Sequence, residues 1–351
     1  MKQLLRKLTD VFGPSGYEDA IRDVIRREIK ELADEVRVDA LGNLIARKGR
    51  VAKNGKRIML AAHMDEIGLI ATHVDEKGFA RFGSVGTPFG RYLPAGRVRF
   101  LNGTRGVISF ERTGNYQETP PLDKMFIDVG ALDKKSCPVK TGDVAVFERP
   151  FLDLGKRVAA KSLDDRAGVA VLIETLRRLK RRPAVSHRRA RGTNGERVEG
   201  SGLNEVYFVF TAQEEVGTRG AGAAAYGLDP DLGIAVDVTP SGDSPHGIKS
   251  DIALGKGPAV KVKDQFMLAD PRVVEWMART ADRAELPYQR EVLLLGSTDA
   301  RVIQLAGAGV PVGGVSIPVR YVHSPSEMID MDDLENSVRL LATLLKSKVE
   351  L

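Results

Sequence analysis

The chain has 351 residues, a length that predicts about two domains at roughly 150 residues each. Hydrophobic residues make up 42% of the chain and charged residues 28%, an ordinary globular composition that allows a large core. The single cysteine, Cys137, excludes an internal disulfide framework and fits a reducing compartment. The N-terminal residues lack the apolar region of a signal peptide, and no apolar stretch approaches the ~20 residues that a membrane helix needs. We therefore expect a cytoplasmic protein with no membrane partner.

The formal net charge of +6 is concentrated in one basic segment. Residues 177–200 contain nine Lys or Arg and two Glu, so the rest of the chain is close to neutral. Pro183 and several glycines indicate that most of this segment is a loop that follows a helix. The simpler interpretation is a solvated loop, and the alternative is a patch for an anionic partner. No aromatic residues lie between the arginines, which argues against nucleic-acid binding by base stacking.

The first half of the chain changes from an α/β pattern to a β-rich pattern. Residues 17–33 have the apolar spacing of an amphipathic helix. Strands are predicted at 36–39, 44–48 and 58–62. Past Gly68 the helical spacing disappears, and short β-like runs separated by turn signals continue to about residue 157. These runs include 69–74, 98–101, 106–110, 125–128 and 143–147.

Alternating strands and helices resume at Val158 and continue to the end of the chain. Helices are predicted at 166–179, 220–226, 272–284, 298–306 and 331–345. Strands are predicted at 205–211, 233–237 and 313–317. This alternation predicts a largely parallel sheet that helices cover on both faces. The expected organisation is a catalytic α/β domain of residues 1–68 and 158–351, with a small all-β domain of residues 69–157 inserted into it.

Five clusters of acidic or histidine residues each follow an apolar run. They are His63-Met64-Asp65-Glu66, Asp164-Asp165, Glu214-Glu215, Asp237 and His323. Because an α/β sheet builds its site at the carboxyl ends of its strands, we expect these side chains to meet at one edge. Two histidines and three carboxylates suit two divalent ions, Zn²⁺, Co²⁺ or Mn²⁺, and a carboxylate such as Asp164 could bridge them.

The adjacent residues Glu214 and Glu215 can have different chemical roles. Neighbouring residues at a strand end point in different directions, so one can bind metal while the other takes a proton from a metal-bound water. That arrangement predicts metal-assisted hydrolysis of a carbonyl compound. Each cluster alone has a simpler explanation, because a lone acidic pair is usually solvated and a strand-end histidine is usually a satisfied polar residue. The signatures of zincins, of serine hydrolases with a nucleophile elbow and of Walker A loops are absent from the sequence.

These motifs together resemble the M42 family of dinuclear metallo-aminopeptidases, the group of glutamyl aminopeptidases and tetrahedral (TET) aminopeptidases. The matching stretches are residues 62–68, 162–168, 213–217, 219–221, 236–239 and 321–325. The resemblance covers nearly the whole chain in order. The segment around residues 183–202 is longer than the family pattern, which leaves its role open.

The resemblance implies a role for each site residue. His63 and Asp237 would bind one ion, and Glu215 and His323 the other. Asp164 would bridge both ions, with a cis peptide bond to Asp165. Glu214 would be the general base, and Asp65 would orient His63. The insert would serve as a dimerisation domain, and dimers would assemble into a hollow dodecamer that admits short peptides.

The leading hypothesis is therefore a cytoplasmic aminopeptidase that acts on short peptides. The same ligands would also suit a related deacylase of N-acyl amino acids, and a non-catalytic protein that keeps the scaffold is a third alternative. The preferred N-terminal residue stays open. In the segment 257–263, a lysine that faces the pocket would favour Glu or Asp substrates, whereas a strand with solvated lysines is the simpler interpretation.

Overall fold

A computed structural model describes residues 1–112, 118–180, 204–245 and 247–351 of the chain. The part of the predicted basic loop from residue 181 to residue 203 lies outside the described residues. Among the helices of the described residues, none is long and apolar enough to cross a membrane.

Seven α-helices occur in the described residues. They are α1 Lys2–Thr9, α2 Asp19–Ile29, α3 Leu163–Lys180, α4 Arg219–Leu228, α5 Pro271–Arg283, α6 Ala300–Ile303 and α7 Met331–Leu344. Two of the predicted helices are shorter than expected. The helix predicted at 17–33 is limited to α2, and that predicted at 298–306 to the four residues of α6. The Asp299 carboxylate makes no capping hydrogen bond to α6, and one of its oxygens accepts a hydrogen bond from the Thr211 hydroxyl at 2.5 Å.

Eleven strands form one large sheet. They are β1 Glu35–Val38, β2 Leu44–Lys48, β3 Arg57–His63, β10 Leu152–Leu154, β11 Arg157–Ala160, β12 Glu205–Thr211, β13 Leu232–Pro240, β14 Ala259–Lys263, β15 Gln289–Val292, β16 Val312–Arg320 and β17 Glu327–Asp330. Their order is β1-β2-β12-β3-β13-β16-β17-β11-β10, with β14 paired to β15 and β16. The expected parallel arrangement holds at the centre, where β12, β3, β13 and β16 run the same way, and the strands on either side join antiparallel.

The central strands are apolar on both faces because helices cover both sides. Eight of the nine residues are buried in β13 and again in β16. Two glycines allow close approach of helices: a side chain at Gly313 of β16 would meet Val273 of α5, and one at Gly233 of β13 would meet Ile303 of α6. Because Gly313 lies opposite Ile234, the neighbour of Gly233, these two contacts lie on opposite faces of the sheet.

The remaining six strands close into a small barrel. They are β4 Gly68–Val74, β5 Ala80–Val85, β6 Arg97–Phe100, β7 Arg105–Phe110, β8 Met125–Asp128 and β9 Val144–Phe147. The barrel has the order β4-β5-β8-β7-β6-β9 and its own apolar core. Strand β5 was not among the strands predicted from the sequence. The domain division at residues 69 and 157 stays a prediction, and β10, which already belongs to the large sheet, indicates a boundary before residue 157.

Candidate metal centre

Four parallel strands bring the predicted ligands to one edge of the sheet. His63 is the last residue of β3, Asp237 lies near the end of β13, and His323 follows β16. Glu214 and Glu215 follow β12, whose last residue lies opposite His63 in the ladder. The expected meeting of these side chains at the carboxyl edge is what the geometry shows.

Asp164 lies between two groups of candidate ligands. Its Oδ1 is 2.9 Å from Nε2 of His63, and its Oδ2 is 3.3 Å from Nε2 of His323. His63, Asp164 and Asp237 form one group, and Asp164, Glu215 and His323 form another, each with ligand atoms within 4.8 Å of one another. Both groups therefore share one carboxylate, as a bridging ligand requires.

Both histidine rings present the same nitrogen to this cluster. Nδ1 of His63 is 3.2 Å from the backbone oxygen of Asp65, and Nδ1 of His323 is 2.9 Å from the backbone oxygen of Thr87. A carbonyl only accepts, so each ring donates from Nδ1, and Nε2 is the nitrogen that can bind a metal once it carries no proton. Such outer hydrogen bonds fix the orientation of metal-binding imidazoles.

Asp65 connects several parts of the site. Its carboxylate accepts hydrogen bonds from the backbone nitrogens of Glu214 at 3.0 Å and Glu215 at 3.1 Å. It also accepts one from the Ser15 hydroxyl at 2.6 Å, and one of its oxygens is 3.4 Å from Nδ1 of His63. The side chain of Asp65 is fully buried. Asp65 therefore positions the glutamate pair as well as His63.

Glu327, which was not predicted from the sequence, positions two of the candidate ligands. Its carboxylate accepts hydrogen bonds from the backbone nitrogens of Asp164 and His323, both at 2.9 Å. Asp165 similarly accepts from the backbone nitrogen of His63 at 3.2 Å, and the peptide bond from Asp164 to Asp165 is cis. Glu327 begins β17, two residues after a proline and in no acidic cluster, so its sequence context gives little signal.

The barrel also contributes to the site, although every residue predicted for the site lies in the α/β domain. The loop after β5 supplies the Thr87 carbonyl that accepts from His323, and the ring of Phe89 lies 5.8 Å from the imidazole of His323. A side chain at Gly86 would come within 3.2 Å of Glu215. No local pattern in the sequence predicts that this loop lies beside the candidate ligands. The contacts form only when the barrel and the α/β domain are both folded and packed together.

Backbone conformation at the site gave no sequence signal either. Ser162, Gln213 and His323 have φ angles of 55°, 58° and 58°, in the left-handed region that favours glycine. Each lies within two residues of a predicted ligand or is one. Non-glycine residues in this region concentrate at functional sites, where surrounding contacts hold them in place.

Burial dominates the electrostatics of the acidic side chains. It raises the pKa of Glu215 to about 8 and the pKa of Asp237 to about 7. It also raises the pKa of Glu214 well above its ordinary value. Burial acts in the same direction on Asp164, but hydrogen bonds to His323 and His63 outweigh it and lower the pKa of that carboxyl. The crowding of these buried carboxyl groups is costly without compensating positive charge.

The donor set fits divalent cations. Oε1 of Glu215 is buried and has no hydrogen-bond partner among the described residues, so this carboxylate has an oxygen free to bind a cation. Imidazole nitrogens and carboxylate oxygens in one pocket are ligands for Zn²⁺ and related ions. The cluster opens into a cavity of about 510 Å³, which Lys261, Phe266, Leu293 and Arg301 also line.

Comparisons with known proteins show which family the chain is similar to. The family model described as M42 glutamyl aminopeptidase matches residues 42–340. A protein of Acetivibrio thermocellus is 44% identical over 345 residues, which cover 97% of each chain. The lysyl aminopeptidase of Pyrococcus furiosus is 33% identical, with 98% of this chain and 96% of that protein covered.

A solved structure matches the whole fold. The TET1 peptidase of Pyrococcus horikoshii, described as able to assemble into a tetrahedron or a large octahedral shell, has a TM-score of 0.84. The two sequences are 33% identical, and the alignment covers 98% of each chain. The family model spans most of the sequence, and the two relatives align over nearly all of it. The chain therefore belongs to the M42 family of aminopeptidases, which are hydrolases of peptide bonds.

Proposed function

We propose that the chain is a dinuclear metal-dependent aminopeptidase that removes N-terminal residues from short peptides. The observation that carries this proposal is the position of Asp164, which belongs to both ligand groups. His63 and Asp237 would hold one ion together with Asp164. Glu215 and His323 would hold the other. The mixture of imidazole and carboxylate suits Zn²⁺ or Co²⁺, with Mn²⁺ as a further candidate.

Glu214 is the proposed general base. Divalent ions in such a site polarise a carbonyl group and lower the pKa of a water molecule towards ~7. Oε2 of Glu214 lies 3.9 Å from Nε2 of His63, and the side chain lines the cavity. Its backbone nitrogen donates to Asp65, and its side chain lines the cavity in which a substrate would bind. Glu214 can therefore accept a proton from the attacking water and return it to the leaving amine.

The substitution Glu214→Gln tests this role. We expect it to lower turnover of aminoacyl-p-nitroanilides by about 10²–10⁴-fold, because general-base catalysis contributes that much and the amide cannot accept the proton. Metal content, measured by mass spectrometry on the purified protein, should stay at the wild-type value. Near-normal turnover in this variant would remove Glu214 from the mechanism.

The neighbouring substitution Glu215→Gln is the matched control. It changes the same functional group one residue further along the chain, but on the side chain that faces His323 at 3.5 Å. We expect this variant to lose metal as well as activity. Equal metal content in the two variants would contradict the division of roles between them.

The substrate side chain and the assembly are parts of the same proposal. The family is described by glutamate and the Pyrococcus furiosus relative by lysine, so family membership leaves the charge of the preferred N-terminal residue open.

The assemblies named for the Pyrococcus horikoshii TET1 peptidase support self-association of this chain, with the barrel as the proposed contact. A cytoplasmic location is also proposed. Release of amino acids from peptides, with no release from N-acyl amino acids, would separate the aminopeptidase from a deacylase.

A further inference from the structure

Besides the candidate metal ligands, two cationic side chains among the described residues line the cavity. Lys261 and Arg301 line it together with apolar side chains that include Phe266, Leu293 and Leu295. A substrate side chain bound in this part of the cavity would contact these apolar side chains. It would also interact with any cation that is not paired with a carboxylate of the protein. The state of each cation therefore decides which substrates the cavity favours.

Lys261 is already neutralised by the protein. Its side chain is only 1% exposed, and Nζ lies 2.9 Å from Oε2 of Glu291, which is equally buried. The other oxygen of Glu291 accepts a hydrogen bond from the Thr239 hydroxyl. The interpretation of a strand with solvated lysines is thus wrong for Lys261. Its charge adds little to the cavity because the paired carboxylate cancels it at short range.

Arg301 differs from Lys261 in its contacts. Its guanidinium stacks over the ring of Phe266 at 4.5 Å, and both side chains line the cavity. Within the part of the chain that the structure describes, no carboxylate forms an ion pair with it. Stacking on an aromatic ring restrains the guanidinium while its N–H donors stay available for a planar acceptor such as a carboxylate.

We propose that Arg301 binds the side-chain carboxylate of the substrate's N-terminal residue, so that the enzyme prefers peptides that begin with Glu or Asp. This inference rests on the proposed aminopeptidase function. An unpaired cation in a partly apolar cavity attracts a carboxylate through charge-assisted hydrogen bonds. It also disfavours Lys and Arg substrates, which would bring a second positive charge into the same space.

The test uses the metal-loaded protein and p-nitroanilides of Glu, Gln, Leu and Lys. The wild type should have the highest kcat/KM on the Glu substrate. Arg301→Gln should lower kcat/KM for Glu by about 10- to 100-fold, mainly through KM, because one charge-assisted contact is lost. Its activity on the Gln and Leu substrates should stay within about threefold, since neither depends on a cation. Arg301→Lys should keep part of the Glu preference.

Arg290→Gln is the matched control, because Arg290 is exposed, pairs with Glu275 at 2.6 Å and does not line the cavity. It should leave the preference unchanged. A wild type that cleaves the Leu substrate as well as the Glu substrate would overturn the inference. An equal loss on both substrates in Arg301→Gln would overturn it too. Failure of the proposed function looks different, since no member of the panel would then be cleaved, and that outcome rejects this inference as well.

Discussion

At the scale of single residues, Ser15 is the clearest case of a side chain that acts through another. Its hydroxyl donates to Asp65, whose carboxylate holds the backbone of both glutamates. A hydrogen bond to a charged group contributes about 1.5–3 kcal/mol. We expect Ser15→Ala to lower kcat by roughly tenfold or more with little change in KM, because the base and ligands lose their alignment. Steady-state kinetics on a single substrate provide the measurement.

Ser15→Thr is the corresponding control, since it keeps the hydroxyl and adds one methyl group. It should recover most of the activity if the hydrogen bond is what matters. A matching loss of kcat in the Thr variant would show that Ser15 contributes through packing. Chelator competition on the same proteins would show whether metal affinity changes with kcat.

The candidate ligands could be predicted from the sequence because each follows a strand-like apolar run. His63, Asp164 and Glu215 all have this context, and their residue types restrict the chemistry. Ser15 and Glu327 have no such context. Their roles depend on hydrogen bonds across 50 and 163 positions of sequence, which only the folded chain creates. The candidate ligands and Asp65 could thus be predicted from the sequence, whereas Ser15 and Glu327 could not.

At the scale of elements, the loop that follows β5 connects the barrel to the candidate metal centre. Gly86 has a φ of +74°, and a Cβ there would lie 2.8 Å from Cγ2 of Ile67 and 3.2 Å from Glu215. We expect Gly86→Ala to lower metal content and activity, because the loop must move away from the ligand. Metal analysis and kinetics on the purified variant test this.

Gly103→Ala is the control that distinguishes the effect of the contact with Glu215 from the effect of backbone strain. Gly103 also has a positive φ, of +93°, but a Cβ there would meet nothing within 4 Å. Both variants carry a conformational cost of about 1–2 kcal/mol for alanine in this region. Only Gly86→Ala should change the metal site. Similar losses of metal in the two variants would attribute the effect to general destabilisation.

The elements themselves were predictable to different degrees. Strands β2, β8 and β12 have the predicted bounds, because turn residues and charges delimit their apolar runs. The helix predicted at 298–306 is limited to Ala300–Ile303, and the Asp299 carboxylate before it bonds Thr211 of a neighbouring strand and makes no capping hydrogen bond. Strand β5 contains glycine and arginine and lacks a strong apolar alternation, so its pairing partners determine it.

At the scale of the whole molecule, the barrel presents apolar side chains to solvent. Leu132 is 91% exposed, and Leu101 and Val107 are each more than 40% exposed. We expect the purified protein to have a mass in solution that is a multiple of the 38.2 kDa chain, because association would cover such side chains. Light scattering coupled to size exclusion measures it. A monomer at micromolar concentration, in both low and high salt, would contradict this expectation.

The hydrogen bond from Nδ1 of His323 to the Thr87 carbonyl has a thermodynamic consequence. It links one loop to two proposed equilibria, the binding of metal at the candidate site and any contact that the barrel makes with another subunit. If association holds the loop in its ligand-orienting position, the associated protein binds metal more tightly. Linkage then requires the reverse effect to be equally large, so added metal must strengthen the association by the same factor.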